Sequence, residues 1–200
     1  MKESQKETNK VLNEKEFENL KEKIWKTCKS RMRASERLLN NSKKLEFLSA
    51  YYTIFLTIYS VFGIISNEKM IGYISTLMSI AVMGFVFWGN TMNYKDRYIK
   101  MKENYLKLDN LYHLCIIEEI ECTYNYREMR AKYEELLTIS ENHNYIDYIT
   151  FLYNDSTLNG NLKKREKFLC LKNLLIKKIL MFFAIVIPIV LTIIFAIMIV

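Results

Sequence analysis

The stretch that decides the fold is Phe47–Tyr94, FLSAYYTIFLTIYSVFGIISNEKMIGYISTLMSIAVMGFVFWGNTMNY. It contains two runs without a charged side chain, 20 residues in 47–66 and 25 residues in 70–94, separated by Asn-Glu-Lys. A bilayer core about 30 Å thick needs roughly 20 apolar helical residues to cross it, and three linking residues allow only a tight hairpin. The stretch therefore predicts two antiparallel transmembrane helices, 47–66 and 70–93. A buried soluble hairpin is the weaker alternative, because soluble helices rarely lack charge for so long.

A third apolar run, Ile179–Val200, has 22 residues without charge and predicts a C-terminal transmembrane helix at 179–200. It follows a basic, amphipathic linker at 156–178. Pro188 lies near the middle of the run. A proline removes one helical hydrogen bond and frees the carbonyl four residues earlier, that of Ala184. We expect a neighbouring helix or a hydroxyl to satisfy it.

Composition indicates an almost wholly helical chain. Half of the 200 residues are apolar and 26% are charged, in separate blocks, and there are one proline and five glycines. The four cysteines form no metal-ligand pattern, and Cys115 and Cys122, seven residues apart, suit one packed helix face better than a redox pair. The sequence contains no paired-carboxylate, metal or nucleophile constellation, so we predict no enzyme, no cofactor and no metal.

The charged blocks carry helical patterns of their own. After a polar lead at 1–13, apolar residues fall on one face of a helix at 14–45. A heptad-like seam runs from Tyr94 to Leu136 and predicts one long helix, 94–140, that continues the second span and packs against the first helix. A short helix follows at 145–153. His143 lies just before this helix and Asp147 lies within it. Both residues suit capping or loop fixing far better than activation of a nucleophile.

Basic residues flank the three spans, whereas the 67–69 turn has a single lysine. The positive-inside rule then places 1–45 and 95–178 in the cytoplasm and the turn outside. We therefore expect a multi-pass protein of the plasma (inner) membrane with reduced cysteines.

Small and hydroxyl residues form a stripe on each hairpin helix. They allow close helix packing and hydrogen bonding, which is the simpler interpretation. In an oligomer one stripe would instead line a polar pathway. No charged residue lies in the hairpin spans, which disfavours a pump. The candidate pore-lining or packing residues are Ser49, Thr53, Thr57 and Ser60 in the first span, and Gly72, Thr76 and Ser79 in the second.

Three arginines near the end of the first helix are candidates for contact with an anionic signal or an acidic partner. They are Arg31, Arg33 and Arg37. Headgroup anchoring or plain solvation is the simpler interpretation. The aromatic seam is matched by acids, so we expect no direct nucleic-acid binding.

The order of these features resembles the SLATT family, the SMODS- and SLOG-associating two-transmembrane effector domains. Residues 24–27 read IWKT, 30–39 read SRMRASERLL, 133–137 read YEELL, and ENH at 141–143 precedes DY at 147–148. The likeness covers about 14–155, an all-α membrane domain, and the last span is similar to a branch with an extra hydrophobic tail.

The resemblance implies an oligomeric effector of bacterial anti-phage defence that perforates or depolarises the membrane in abortive infection. Its trigger would come from a separate cytoplasmic sensor: a nucleotide-signal synthase, a nucleotide-sensing domain or a reverse transcriptase. The alternative is a non-conducting membrane adaptor that recruits a partner through its helical bundle.

Overall fold

The computed structural model is 92% helical. It describes the backbone of the chain outside Met1, 67–68, 122–124, 156, 159, 161 and Val200, and the side chains outside those residues and outside 2–13, 66, 191 and 194–199. Six helices follow one another: α1 Lys2–Ser66, α2 Lys69–Thr91, α3 Tyr94–Ile120, α4 Tyr126–Ile139, α5 Tyr145–Asn154 and α6 Lys164–Ile199.

Three of the helices, α1, α2 and α6, are long and apolar enough to cross a membrane. Their most apolar windows are only 17%, 11% and 6% buried inside the chain. Apolar surface left uncovered on this scale needs lipid or protein around it. The protein is therefore an all-α membrane protein, as the sequence predicts.

The chain divides into two compact units. We call Leu39–Lys95 with Phe168–Val200 the membrane unit, and Met1–Leu38 with Asp96–Lys167 the helical unit. The core of the helical unit joins α1 to α3 and α4, as the heptad-like pattern predicts. Its buried members are Phe17, Leu20, Ile24, Cys28, Leu108, Leu111, Cys115 and Met129, with Tyr105, Tyr112, Tyr126, Tyr133 and Leu136 packed against them.

The predicted continuation of the second span into the next helix is wrong. α2 ends at Thr91 and α3 begins at Tyr94. Asn93 between them has φ 47°, a left-handed conformation that asparagine tolerates better than most residues and that ends a helix. The N–H groups of Met92 and Asn93 bond three residues back, to Gly89 and Asn90 at 3.2 Å each, which tightens the last turn.

The predicted single helix 94–140 is also wrong, because it is two helices, α3 and α4. Both pack on the same part of α1: the Tyr133 hydroxyl of α4 lies 2.8 Å from that of Thr27, and Cys28 donates to the Tyr105 carbonyl of α3 at 3.5 Å. In one straight helix Tyr105 and Tyr133 would be about 42 Å apart, so they could not both reach adjacent residues of α1. The break lies at 121–125. Cys122 falls there, outside the described residues, so its predicted pairing with Cys115 on one face is untested.

Two segments predicted as separate parts of the chain, the polar lead and the basic amphipathic linker, belong to long helices. The predicted polar lead belongs to α1, which begins at Lys2 and continues into the first span, and much of the predicted 156–178 linker belongs to α6. Neither 2–13 nor 164–178 contains a glycine or proline to stop a helix. The short helix predicted at 145–153 is α5.

Candidate functional site

The two hairpin helices touch closely at both ends of the membrane unit. A Cβ placed on Gly63 would lie 2.6 Å from Cγ2 of Ile71, beside the turn. A Cβ on Gly89 would lie 2.5 Å from Cδ1 of Leu45, at the opposite end. Neither glycine could carry a side chain without displacing its neighbour, so these two positions set the helix separation.

Between these contacts the hairpin leaves an open groove of about 620 Å³ on one side. Polar residues from both helices meet in it, Thr53, Thr57 and Ser60 from α1 with Ser79 and Asn90 from α2. The structure thus brings four of the seven predicted stripe residues together. The rest of the wall is apolar, formed by Leu56, Val61, Ile64, Val82, Met83, Val86 and Phe87.

The other three stripe residues lie outside the groove. Ser49 is half-buried one turn before it, and its hydroxyl donates to the Leu45 carbonyl at 2.8 Å. Thr76 is exposed and donates to the carbonyl of Gly72 at 2.9 Å. A Cβ on Gly72 would meet no atom within 4 Å, so this glycine mediates no close helix contact within the chain.

Three of the four groove hydroxyls use their hydrogens within their own helices. Thr53 donates to the Ser49 carbonyl at 2.8 Å, Thr57 to the Thr53 carbonyl at 2.9 Å, and Ser79 to the Ser75 carbonyl at 2.8 Å. A hydroxyl has one donor and two acceptor lone pairs. What these three residues offer the groove is therefore acceptor oxygen, which suits water and cations.

Helix α6 packs on a different part of α1. The Tyr52 hydroxyl donates to the Ala184 carbonyl at 2.7 Å, and that of Tyr51 to the Ile185 carbonyl at 2.9 Å. Ala184 is the carbonyl that Pro188 frees, so the predicted satisfaction by a neighbouring hydroxyl is confirmed. None of the described groove-lining residues comes from α6, so the third span leaves this groove uncovered.

In the helical unit, Arg31 is 1% exposed and holds three elements together. Its Nη1 donates to the Asn104 side-chain oxygen of α3 and to the Leu136 carbonyl at 3.0 Å, and its Nη2 to the Leu137 carbonyl at 3.3 Å. Those carbonyls lie in the last turn of α4, the negative end of its helix dipole. Arg31 makes no ion pair with any described carboxylate, and burial lowers the pKa of its guanidinium. The expectation that the Arg31 side chain is solvated is therefore wrong, because the side chain is buried.

The other two arginines differ from Arg31 and from each other. Arg37 donates two hydrogen bonds to the buried carboxylate of Asp147 in α5, from Nε to Oδ1 at 2.8 Å and from Nη2 to Oδ2 at 3.1 Å. Asp147 also accepts from the Asn144 backbone N–H at 3.0 Å, which confirms its expected capping role. The Arg33 side chain is 24% exposed, and among the described residues it pairs with Glu36 of its own helix. Of the three arginines, it is the one with no described bond to another helix.

The described side chains assemble no metal site. They include no group of three potential metal ligands. Cys28, Cys115 and Cys170 are buried, and none of them forms a disulfide with another described cysteine. Burial raises the pKa of Cys28 to about 12 and that of Cys115 to about 11, so both remain protonated and unreactive at neutral pH.

These observations define an all-α membrane protein with a two-helix hairpin, a third span and a helical bundle. The match to a known family covers 13–198, nearly the whole chain. The chain belongs to the SMODS and SLOG-associating 2TM effector domain family 5. Searches of curated proteins and of solved structures found no match.

Sequence patterns did not point to Arg31 and Asn104 as buried partners, although the signal was present. Arg31 continues the spacing of Ile24, Cys28 and Leu38 on the buried face of α1, and Asn104 lies between Met101 and Leu108 on that of α3. Two polar residues in apolar positions of facing helices indicate a buried pair.

Proposed function

We propose that this protein is a membrane effector of bacterial anti-phage defence that oligomerises and permeabilises the plasma membrane. Residues 1–45 and 95–178 would lie in the cytoplasm. The family consists, by its description, of two-transmembrane effector domains associated with other proteins. A separate sensor, a nucleotide-signal synthase, a nucleotide-sensing domain or a reverse transcriptase, would supply the trigger.

The observation that carries this proposal is the groove of the hairpin. It is open to the outside of the chain, holds Thr53, Thr57, Ser60, Ser79 and Asn90, and is left uncovered by α6. Copies arranged around an axis would bring their grooves together into one polar path. Because three of the hydroxyls present acceptor oxygen, that path should conduct cations in preference to anions.

A trigger can open such a path only by binding the open arrangement better than the closed one. Arg33 is the best placed of the three candidate arginines to contact the sensor, since Arg31 and Arg37 are engaged with α3, α4 and α5. Exchanging Arg33 for glutamine should impair triggering while the fold remains intact.

The test is membrane potential in a bacterium expressing the chain with its neighbouring gene under phage challenge, read with a voltage-sensitive dye beside viability. Wild type should depolarise before growth stops. Thr53→Leu with Thr57→Leu should abolish the depolarisation, since two apolar side chains replace the acceptors in the groove. The matched control is Thr76→Leu with Thr192→Leu, which removes two hydroxyls of the membrane unit that do not line the groove.

If the control pair loses depolarisation to the same extent, the groove is not the conducting path. Unchanged potential in the wild type, with protection from phage retained, would favour the adaptor alternative. The Tyr94–Leu136 seam is poorly suited to recruiting a partner, because Leu108, Cys115 and Met129 are already packed against α1.

A further inference from the structure

Lysines of the membrane unit gather where the spans end. Lys43 and Lys44 precede the first span, Lys95 follows the second, and Lys172 and Lys178 precede the third; all five are exposed. None forms an ion pair with a described carboxylate. We call these five residues the lysine collar.

Contacts inside the membrane unit place the collar at one end. Leu45 touches Gly89, so the first two lysines and Lys95 lie at the same end of the antiparallel hairpin. Tyr51 bonds to Ile185, and Lys44 and Lys178 each stand seven residues, about 10 Å of helix, before these partners. We infer that α1 and α6 are parallel, which puts both lysines at that end, because antiparallel helices would set the charged Lys178 against the middle of an apolar span, where a charge is costly.

The collar has almost no negative charge to balance it. Glu46 is the one carboxylate among the described residues of the membrane unit, and it accepts a hydrogen bond from Ser42 at 3.0 Å. Asp96, which directly follows Lys95, is the other carboxylate next to the collar in sequence, so two negative charges stand against five positive ones. In the helical unit, by contrast, carboxylates are plentiful, and some exposed cations pair with them along their helices, as Lys26 does with Glu22 and Lys132 with Glu128. Like charges gathered without counter-charge repel one another and call for an anionic partner.

We propose that the lysine collar binds the headgroups of anionic phospholipids. It lies at the boundary between apolar and charged sequence in all three spans, which is the level of the headgroup phosphates. Lysine reaches that level well, since its apolar stem lies along the helix while the ammonium extends to the interface. The inference depends on the protein being embedded in a membrane and not on conduction, so it can fail or hold independently of the proposed function.

Each lysine near an anionic surface contributes about fivefold in binding constant, roughly 1 kcal/mol. Removal of four lysines should therefore weaken binding of an anionic lipid by about 100-fold or more. High salt should weaken wild-type binding in the same direction, because ions screen exposed charges.

The experiment uses the full chain purified in neutral detergent and titrated with short-chain phosphatidylglycerol, with binding read as a shift in thermal unfolding. Phosphatidylcholine of the same chain length and inorganic phosphate are separate arms. The test variant combines Lys43→Gln, Lys44→Gln, Lys95→Gln and Lys178→Gln. The control removes the same number of exposed, unpaired charges from the helical unit, through Lys15→Gln, Lys23→Gln, Lys107→Gln and Arg127→Gln.

We expect phosphatidylglycerol, but neither phosphatidylcholine nor free phosphate, to stabilise the wild type and the control variant. The collar variant should lose this stabilisation. Four Lys→Arg exchanges at the same positions keep the charge and should keep the binding, which guards against a variant that merely fails to fold. Equal loss in control and collar variants, equal stabilisation by phosphatidylcholine or free phosphate, or salt-independent binding would each overturn the proposal.

Discussion

Replacing Arg31 with alanine should destabilise the helical unit strongly. The change removes the donor to the Asn104 side-chain oxygen and to the Leu137 carbonyl, while the Leu136 carbonyl keeps its bond from Asn104 Nδ2 at 2.8 Å. An acceptor left without a donor costs about 1 to 3 kcal/mol. Together with the cavity left by a side chain that is 1% exposed, we expect a loss of about 3 kcal/mol or more in the free energy of unfolding.

Two further variants separate the causes of that loss. Arg31→Met keeps most of the volume and removes the buried charge, so it should cost about 1 to 2 kcal/mol less than Arg31→Ala. Asn104→Leu removes the side chain that accepts a hydrogen bond from Arg31. The double variant, Arg31→Met with Asn104→Leu, should lose clearly less unfolding free energy than the two single variants lose together. Arg33→Ala is the control, because this partly buried side chain pairs with Glu36 of its own helix and has no described bond to α3 or α4, so its loss should cost about 1 kcal/mol or less.

The assay is denaturant unfolding of the full chain in detergent, with hydrogen exchange of residues 131–139 reporting on the last turns of α4. Arg31→Ala should speed exchange there far more than Arg33→Ala does. If the two alanine variants unfold alike, the bonds of Arg31 do not link the helices in this way, which would refute the explanation.

Three other outcomes follow from the contacts. Tyr52→Phe should cost about 1 kcal/mol in a steric-trapping unfolding assay, and less in a Pro188→Ala background, where the freed carbonyl regains its helical donor; an equal cost in both backgrounds would contradict this. Asp147→Asn should cost about 2 to 4 kcal/mol in thermal unfolding, whereas the exposed pair lost in Glu141→Gln should cost under about 1 kcal/mol. Burial and the nearby buried guanidinium lower the pKa of His143 from its usual 6.5, so the neutral form should stabilise the fold fully above pH 6.5 and progressively less as pH falls below it; His143→Gln should flatten that dependence.

Much of the fold could be predicted because long uncharged runs and 3.6-residue periodicity have few alternative explanations. The three spans, the buried face of α1 and the fate of the Ala184 carbonyl all follow from local rules. The two helix breaks could not be predicted in this way. Asparagine at position 93 permits a left-handed turn but does not require one. The break between α3 and α4 depends on tertiary packing, because both helices pack on the same part of α1.

The site was less predictable than the fold. The stripe spacing shows which hydroxyls share a face of one helix, but the rotation of α1 against α2 decides which of them meet. Gly63 and Gly89 fix that rotation through Ile71 and Leu45. As a result Thr53 meets the face of Ser79, whereas Thr76 does not reach the groove.

The hydrogen bonds of the groove also favour a wet path over a dry interface. If two copies packed groove to groove, the oxygens of Thr53 and Thr57 would face acceptors of the partner, since their hydrogens are bonded to their own helices. A hydroxyl rotated to donate across the contact would give up its helical bond, so the net gain would be small, consistent with the average of about 0.6 kcal/mol for such bonds in membranes. Water or a cation between the copies removes this conflict because it supplies the missing donor or positive charge. In the proposed oligomer, mutual packing of the grooves would therefore be most stabilising when the space between them is hydrated, which is the condition that the proposed conduction requires.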